Sequence, residues 1–130
     1  MRYYLISNYS APSAAERQRN LNVALSVNSA LRAILRPVYR ELETYPWWDL
    51  VRPHIPDEGD VRMAGMRAGA DWLRQAVAKS KQDGEFICAV RTFTSNSAGC
   101  AQEIRLCVEL GIPIFWFDEI CRIILRGGLP

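Results

Sequence analysis

The chain has almost no histidine, no run of like charge and no long apolar stretch, and each lack removes a class of function. His54 is the only histidine in 130 residues. It sits among prolines in a segment without period, and reads as a solvated loop residue rather than a catalytic base. The four cysteines, Cys88, Cys100, Cys107 and Cys121, are scattered in apolar surroundings. They have neither the paired spacing of a zinc site nor the density of a small secreted scaffold, so they read as reduced core residues, and no metal or other cofactor is expected. Sixteen basic and fourteen acidic residues leave a formal +2 without a Lys/Arg-rich run, so bulk nucleic-acid binding is not implied. The opening MRYYLISNYS lacks the apolar stretch of a signal peptide, and no segment is long enough to span a bilayer; a cytoplasmic location without membrane contact is the expectation. About half of the residues, 49%, are hydrophobic, enough to bury a core within one domain over 1–130.

Strands and helices alternate. Tyr3 to Ser7 is a buried first strand leaving for a loop at Asn8. From Ala14 to Ala33 the positions Leu21, Ala24, Leu25, Val27 and Leu31 recur at helical spacing, and Ser13-x-x-Glu16 can open that helix. Ile34 to Tyr39 contains Pro37 and is admissible as a short edge strand. The stretch 41–60 carries three prolines, Trp47 and Trp48 and no period, and reads as a lid or an irregular insertion. Its two tryptophans either stack on a base or anchor the loop to the core or to a second subunit. Val61 to Lys81 is a helix with Met66, Ala70, Leu73 and Val77 on one stripe. Glu85 to Val90 and Ile112 to Phe117 are further strands, and Asp118 to Arg126 a helical tail. This succession predicts an α/β open parallel sheet of four or five strands with right-handed crossovers and helices on both faces. With strand order 2-1-3-4, ligands bind where the order reverses, between the loops Asn8–Pro12 and Thr92–Ser97.

The second of these loops leads into a helix. Ser95, Asn96 and Ser97 are good N-cap residues, and Gly99 lets a ligand approach the backbone, so the first turn can receive an anion. Glu103 falls at the edge of the apolar face formed by Cys100, Ile104, Cys107 and Val108. Its i+4 neighbour is Cys107 rather than a cation, and it closes no capping box, since Cys100 holds the position three beyond Ser97. A carboxylate so placed lacks the usual structural reasons for being there. Arg17 and Arg19 follow the first loop, and Arg19 could reach a phosphate.

The segments Tyr4-Leu5-Ile6-Ser7-Asn8-Tyr9-Ser10 and Ser97-Ala98-Gly99-Cys100-Ala101-Gln102-Glu103, the latter followed by Leu110-Gly111-Ile112-Pro113-Ile114, resemble the nucleoside 2-deoxyribosyltransferase superfamily. That superfamily includes nucleoside 5'-monophosphate N-glycosidases and small phage and bacterial relatives. The resemblance implies a flavodoxin-like, Rossmann-like fold and a homodimer, to which an exposed Trp47–Trp48 pair would contribute. It also implies that Glu103 attacks the anomeric carbon of a (deoxy)ribose, with Tyr4 orienting the carboxylate. Ser7, Asn8, Tyr9 and Ser10 would line the sugar or base pocket, Asp71 would contact the base, and Ser95, Ser97 and Gly99 would take a 5'-phosphate. Where the transferase branch has an acidic residue, this loop reads Thr94-Ser95-Asn96, which favours hydrolysis or simple binding of a small nucleotide over base transfer. The alternative from another class is a non-catalytic nucleotide-binding or sequestering protein on the same fold, and an interaction protein using Trp47 and Trp48 is a third.

Overall fold

Every residue of Arg2–Ile6 is buried, and strand alternation divides them between two faces. Tyr3 and Leu5 join one hydrophobic cluster, Tyr4 and Ile6 another. The computed structural model describes residues 1–129. Its elements are β1 (Arg2–Ile6), α1 (Ala14–Leu35), β2 (Glu43–Thr44), a 3₁₀ turn (Trp47–Asp49), α2 (Gly59–Asp83), β3 (Ile87–Arg91), α3 (Ala98–Glu109), β4 (Ile114–Trp116) and α4 (Phe117–Leu125). All strand pairs are parallel, in the order β2-β1-β3-β4. This is the flavodoxin-like open α/β sheet that the alternation predicts.

One face is covered by Leu21, Ala24, Val27, Leu31 and Leu35 of α1 with Ile120 and Ile124 of α4, over Tyr3, Leu5, Cys88 and Val90. The other is covered by Leu73 and Val77 of α2 and by Cys100 and Cys107 of α3, over Tyr4, Ile6 and Ala89. Ser13 caps α1, its Oγ accepting the Glu16 N–H at 3.1 Å. Val108, expected on the buried face of α3, is 67% exposed, because the stripe through Cys100 and Cys107 turns it outward. No helix is long and apolar enough to cross a membrane among the described residues.

The structure departs from three expectations. Ile34–Tyr39 is not a strand: α1 runs on to Leu35, since Leu31 and Leu35 continue its buried stripe, and Pro37, without an N–H, ends it. The second strand is the polar pair Glu43–Thr44, in register with Arg2 and Tyr3, inside the segment expected to be irregular. Nor are the tryptophans an exposed pair. Trp48 is buried, Trp47 packs on the same core, and the Trp47 indole N–H donates to the Leu5 carbonyl at 3.1 Å. They anchor the loop, and a homodimer gains no support from them.

Arg2 fastens the opposite end of the sheet. Its guanidinium donates to both Asp83 carboxylate oxygens, at 3.0 and 2.6 Å, to Glu43 Oε2 at 3.0 Å and to Ser80 Oγ at 3.0 Å. The Arg2 bond, helped by the Glu85 N–H, lowers Asp83 to about 2. A carboxylate lowered on folding contributes stability above its ordinary range and loses it as pH falls through the folded value. Arg2→Met is therefore expected to lower Tm by several degrees at pH 7, with a smaller deficit at pH 2.5. Melting curves of both proteins at the two pH values test this; an equal deficit at both would remove Asp83 from the clamp.

Candidate active site

The C-terminal ends of β1 and β3 lie side by side at the reversal of strand order, and hydrogen bonds lock the loops that leave them. Thr92 Oγ1 donates to Ser7 Oγ at 2.8 Å, and the Asn8 N–H donates to the Thr94 carbonyl. The Asn8 side chain bridges the crevice, its Nδ2 donating to Asn96 Oδ1 at 2.7 Å and its Oδ1 accepting the Ser97 N–H at 2.9 Å. Ser95 turns inward: its Oγ donates to the Thr92 carbonyl at 2.7 Å and accepts from Arg91 Nε at 3.1 Å. Asn8 and Ser95, both expected among the binding residues, thus hold the loops and do not line the cavity.

That cavity, of about 550 Å³, opens beside the face covered by α2 and α3. β1 and its loop supply Tyr4, Ser7, Tyr9 and Ser10 to the wall, and α3 supplies Ser97, Gly99 and Glu103. Two expected residues lie elsewhere. Asp71 is an exposed member of α2, 3.8 Å from Arg74, and is not part of the wall; the buried stripe through Gly69, Leu73 and Val77 leaves position 71 facing outward. Arg19 is exposed on α1 for the same reason. Its neighbour Arg17 is the buried one, donating to the carbonyls of Ala11 at 2.8 Å and Pro53 at 2.9 Å, and so ties both loops beside the cavity. His54 is exposed.

Glu103 stands one turn into α3. One side faces the cavity, so it is only half-buried by area, yet its carboxyl is desolvated. Burial pushes its pKa up to about 7, and the hydrogen-bonding Tyr4 hydroxyl pulls the other way; no cation contributes. Tyr4 itself is 3% exposed. Its ring stacks on Tyr45, with centroids 6.2 Å apart and planes at 10°, and meets Trp72 at 5.9 Å. Burial, and then the neighbouring Glu103 charge, raise the phenol well above its usual range, so it stays a proton donor to the carboxylate at neutral pH.

The start of α3 has the chemistry of an anion site. Ser97 caps the helix, its Oγ accepting the Cys100 N–H at 3.2 Å, and helix geometry leaves the amides of Ala98 and Gly99 without intrahelical partners. A residue the sequence reading missed approaches from the first turn of α2. Arg62 Nη1 lies 3.3 Å from Ser10 Oγ, and its Nη2 is 3.9 Å from where a Cβ on Gly99 would sit. Nothing in the spacing of residues 62 and 99 announces that approach; the only signal is a basic residue opening a helix after a loop. Tyr45, Trp47, Val51, Ile55 and Met66 give the cavity an apolar wall.

The arrangement can present an ionisable carboxylate, steadied by a phenol, to a ligand whose anionic end lies near Arg62 and whose apolar or aromatic part meets Tyr45 and Trp47. Among the described residues no cluster of His, Cys, Asp and Glu side chains converges as metal ligands. No family model, curated protein or solved structure matches the chain.

Proposed function

We propose that the protein hydrolyses the N-glycosidic bond of a (deoxy)nucleoside 5'-monophosphate or modified nucleotide, as a member of the superfamily its termini resemble. The observation that carries this is Glu103: a desolvated carboxyl without a cation, beside Tyr4, in the wall of a cavity at the strand-order reversal. A Glu103 oxygen attacks the anomeric carbon, and the C–N bond breaks with its electron pair going to the base, which takes a proton from cavity water. The hydroxide left by that water then adds to the same carbon, the ester bond returns its pair to Glu103, and the sugar leaves with retained configuration. The reading is tested by incubating the protein with a panel of nucleoside 5'-monophosphates and looking for free base.

One observation favours a second reading, nucleotide binding without turnover. With Glu103 near 7, a substantial share of the carboxyls is neutral at physiological pH and cannot attack. Nucleotide binding by calorimetry with no base released would establish it. Base appearing only when an acceptor base is supplied would instead mark a deoxyribosyltransferase.

The anion site makes a separate demand. A helix N-terminus favours an anion by about 0.3 to 2 kcal/mol, and a charge-assisted bond from Arg62 adds about 1.5 to 3 kcal/mol. The helical rise puts Glu103 about 6 Å beyond Gly99, which leaves room for a ribose. A 5'-monophosphate is therefore expected to exceed its nucleoside by at least about tenfold in kcat/KM, with Arg62→Leu and Ser97→Ala each narrowing the gap. Equal kcat/KM for the two substrates would remove the phosphate from this end of the cavity, whatever becomes of Glu103.

A further inference from the structure

We infer that Gly69 is a positioning residue of the site, its missing side chain being what allows the Tyr4 hydroxyl to sit against Glu103. The inference rests on the proposed function for the role of Glu103, while its geometry stands without the reaction. Gly69 is buried in the interior of the 25-residue helix α2, where glycine is a poor helix former compared with alanine. A Cβ there would lie 2.7 Å from Tyr4 Oη, a distance at which something must move, and 3.7 Å from Tyr4 Cζ, which is ordinary contact. The conflict therefore falls on the hydroxyl alone. Gly65, one turn earlier in the same helix, meets nothing within 4 Å, so of these two glycines in the helix interior only Gly69 has no room for a side chain.

Tyr4 has little freedom to yield. Its ring is held by Tyr45 and Trp72, and its backbone lies on β1 between β2 and β3. An alanine at 69 must displace the hydroxyl from Glu103 or lift α2 from the sheet. Other titratable or charged groups around the cavity are Cys100 and Cys107 on the helix of Glu103, Arg62 and Arg74 on α2, Arg52 and Asp57 in the preceding loop, Tyr9 after β1 and Tyr45 after β2. Of the groups around it, the Tyr4 hydroxyl is the one that works against burial in setting the Glu103 carboxyl.

The test compares four proteins, the wild type, Gly69→Ala, Tyr4→Phe and the double variant, by melting curves and by ¹³C-carboxyl titration of Glu103, with its resonance assigned through Glu103→Gln. Neither measurement needs a substrate. In the wild-type background Gly69→Ala should lower Tm. In the Tyr4→Phe background the clashing atom is gone, helix propensity acts alone, and the same change should raise Tm by about 3 °C. The Glu103 midpoint should rise in Gly69→Ala by as much as in Tyr4→Phe, and no further in the double variant. A Tm that falls in both backgrounds, or a Glu103 midpoint unmoved by Gly69→Ala, overturns the inference. If Gly69→Ala alone does not fold, the double variant must; its failure to do so counts equally against the inference. Absence of base release from any nucleotide would sink the glycosidase reading and leave these results standing.

Discussion

Replacing Glu103 by glutamine is expected to abolish base release, by at least about a thousandfold in kcat, and to make the protein more stable in alkali. Glutamine keeps the size of the side chain and can still accept a hydrogen bond from Tyr4, but it cannot attack the anomeric carbon. The stability gain follows from the same burial that sets up the chemistry. Glu103 is raised from 4.5 to about 7 in the folded protein, so the folded state binds this proton more tightly than the unfolded chain does. That contribution is complete below pH 4.5 and is lost as pH rises through 7. Above it the buried charge costs on the order of 2 kcal/mol, after allowing for cavity water on its open side. Glutamine, neutral throughout, escapes this cost. Denaturant titrations should find the two proteins about equal at pH 4 and the variant ahead at pH 8. Full turnover by a well-folded Glu103→Gln protein would end the nucleophile assignment, and equal stability at pH 8 would mean that the carboxyl is better solvated than its surroundings indicate.

The rate should follow the same ionisation. A nucleophilic carboxylate must be deprotonated, so kcat should climb about tenfold per pH unit below 7 and level off above it, about a hundredfold between pH 5 and pH 8. The substrate's own phosphate titrates near 6, which makes kcat at saturating nucleotide a cleaner readout than kcat/KM. Tyr4→Phe removes the hydrogen bond that holds the carboxyl down, so its profile should break at higher pH and its rate at pH 6.5 should drop more than its affinity does. A profile that falls as pH rises through 7 would turn Glu103 into a proton donor. Unchanged rate with weaker binding would make Tyr4 a binding residue only.

What could be read from the sequence was whatever depends on local pattern. The buried runs of β1 and β3, the Ser13 and Ser97 caps and the line of α1 through Leu21, Ala24, Val27 and Leu31 each announce themselves through spacing that the backbone then obeys, whereas Leu25 and Val108, read into the stripes of α1 and α3, are exposed. Glu103 was legible because it broke a pattern, a carboxylate with no partner at i+4. What could not be read depends on contacts distant in sequence. Glu43–Thr44 has no strand signature; it is a strand because Arg2 and Tyr3 pair with it and the Arg2 guanidinium holds Glu43. Ile34 to Tyr39 misled because an apolar run before a proline suits the last turn of a helix as well as an edge strand. Asp71 came from the resemblance and not from the spacing of α2, whose stripe through Leu73 and Val77 is buried as read and leaves position 71 facing outward. Gly69 left no trace in the sequence and Arg62 only a faint one, since the first matters for an atom it lacks and the second for where a helix happens to begin.

The clasp between Ser7 and Thr92 joins positions 85 residues apart in the chain, and the central pairing of β1 with β3 has the same reach. Contacts of this span are slow to form, because a long loop must close before any of them contributes. As the chain is synthesised, β1 has to wait for β3 while its apolar residues remain uncovered. The wait ends only once α1, β2 and α2 have all emerged, since each of them lies between the two strands. Tyr4 and Glu103 then come together late, on opposite sides of the last long closure. No N-terminal fragment that ends before α3 contains both, so the candidate chemistry cannot appear until β3 and the opening turns of α3 are available to β1.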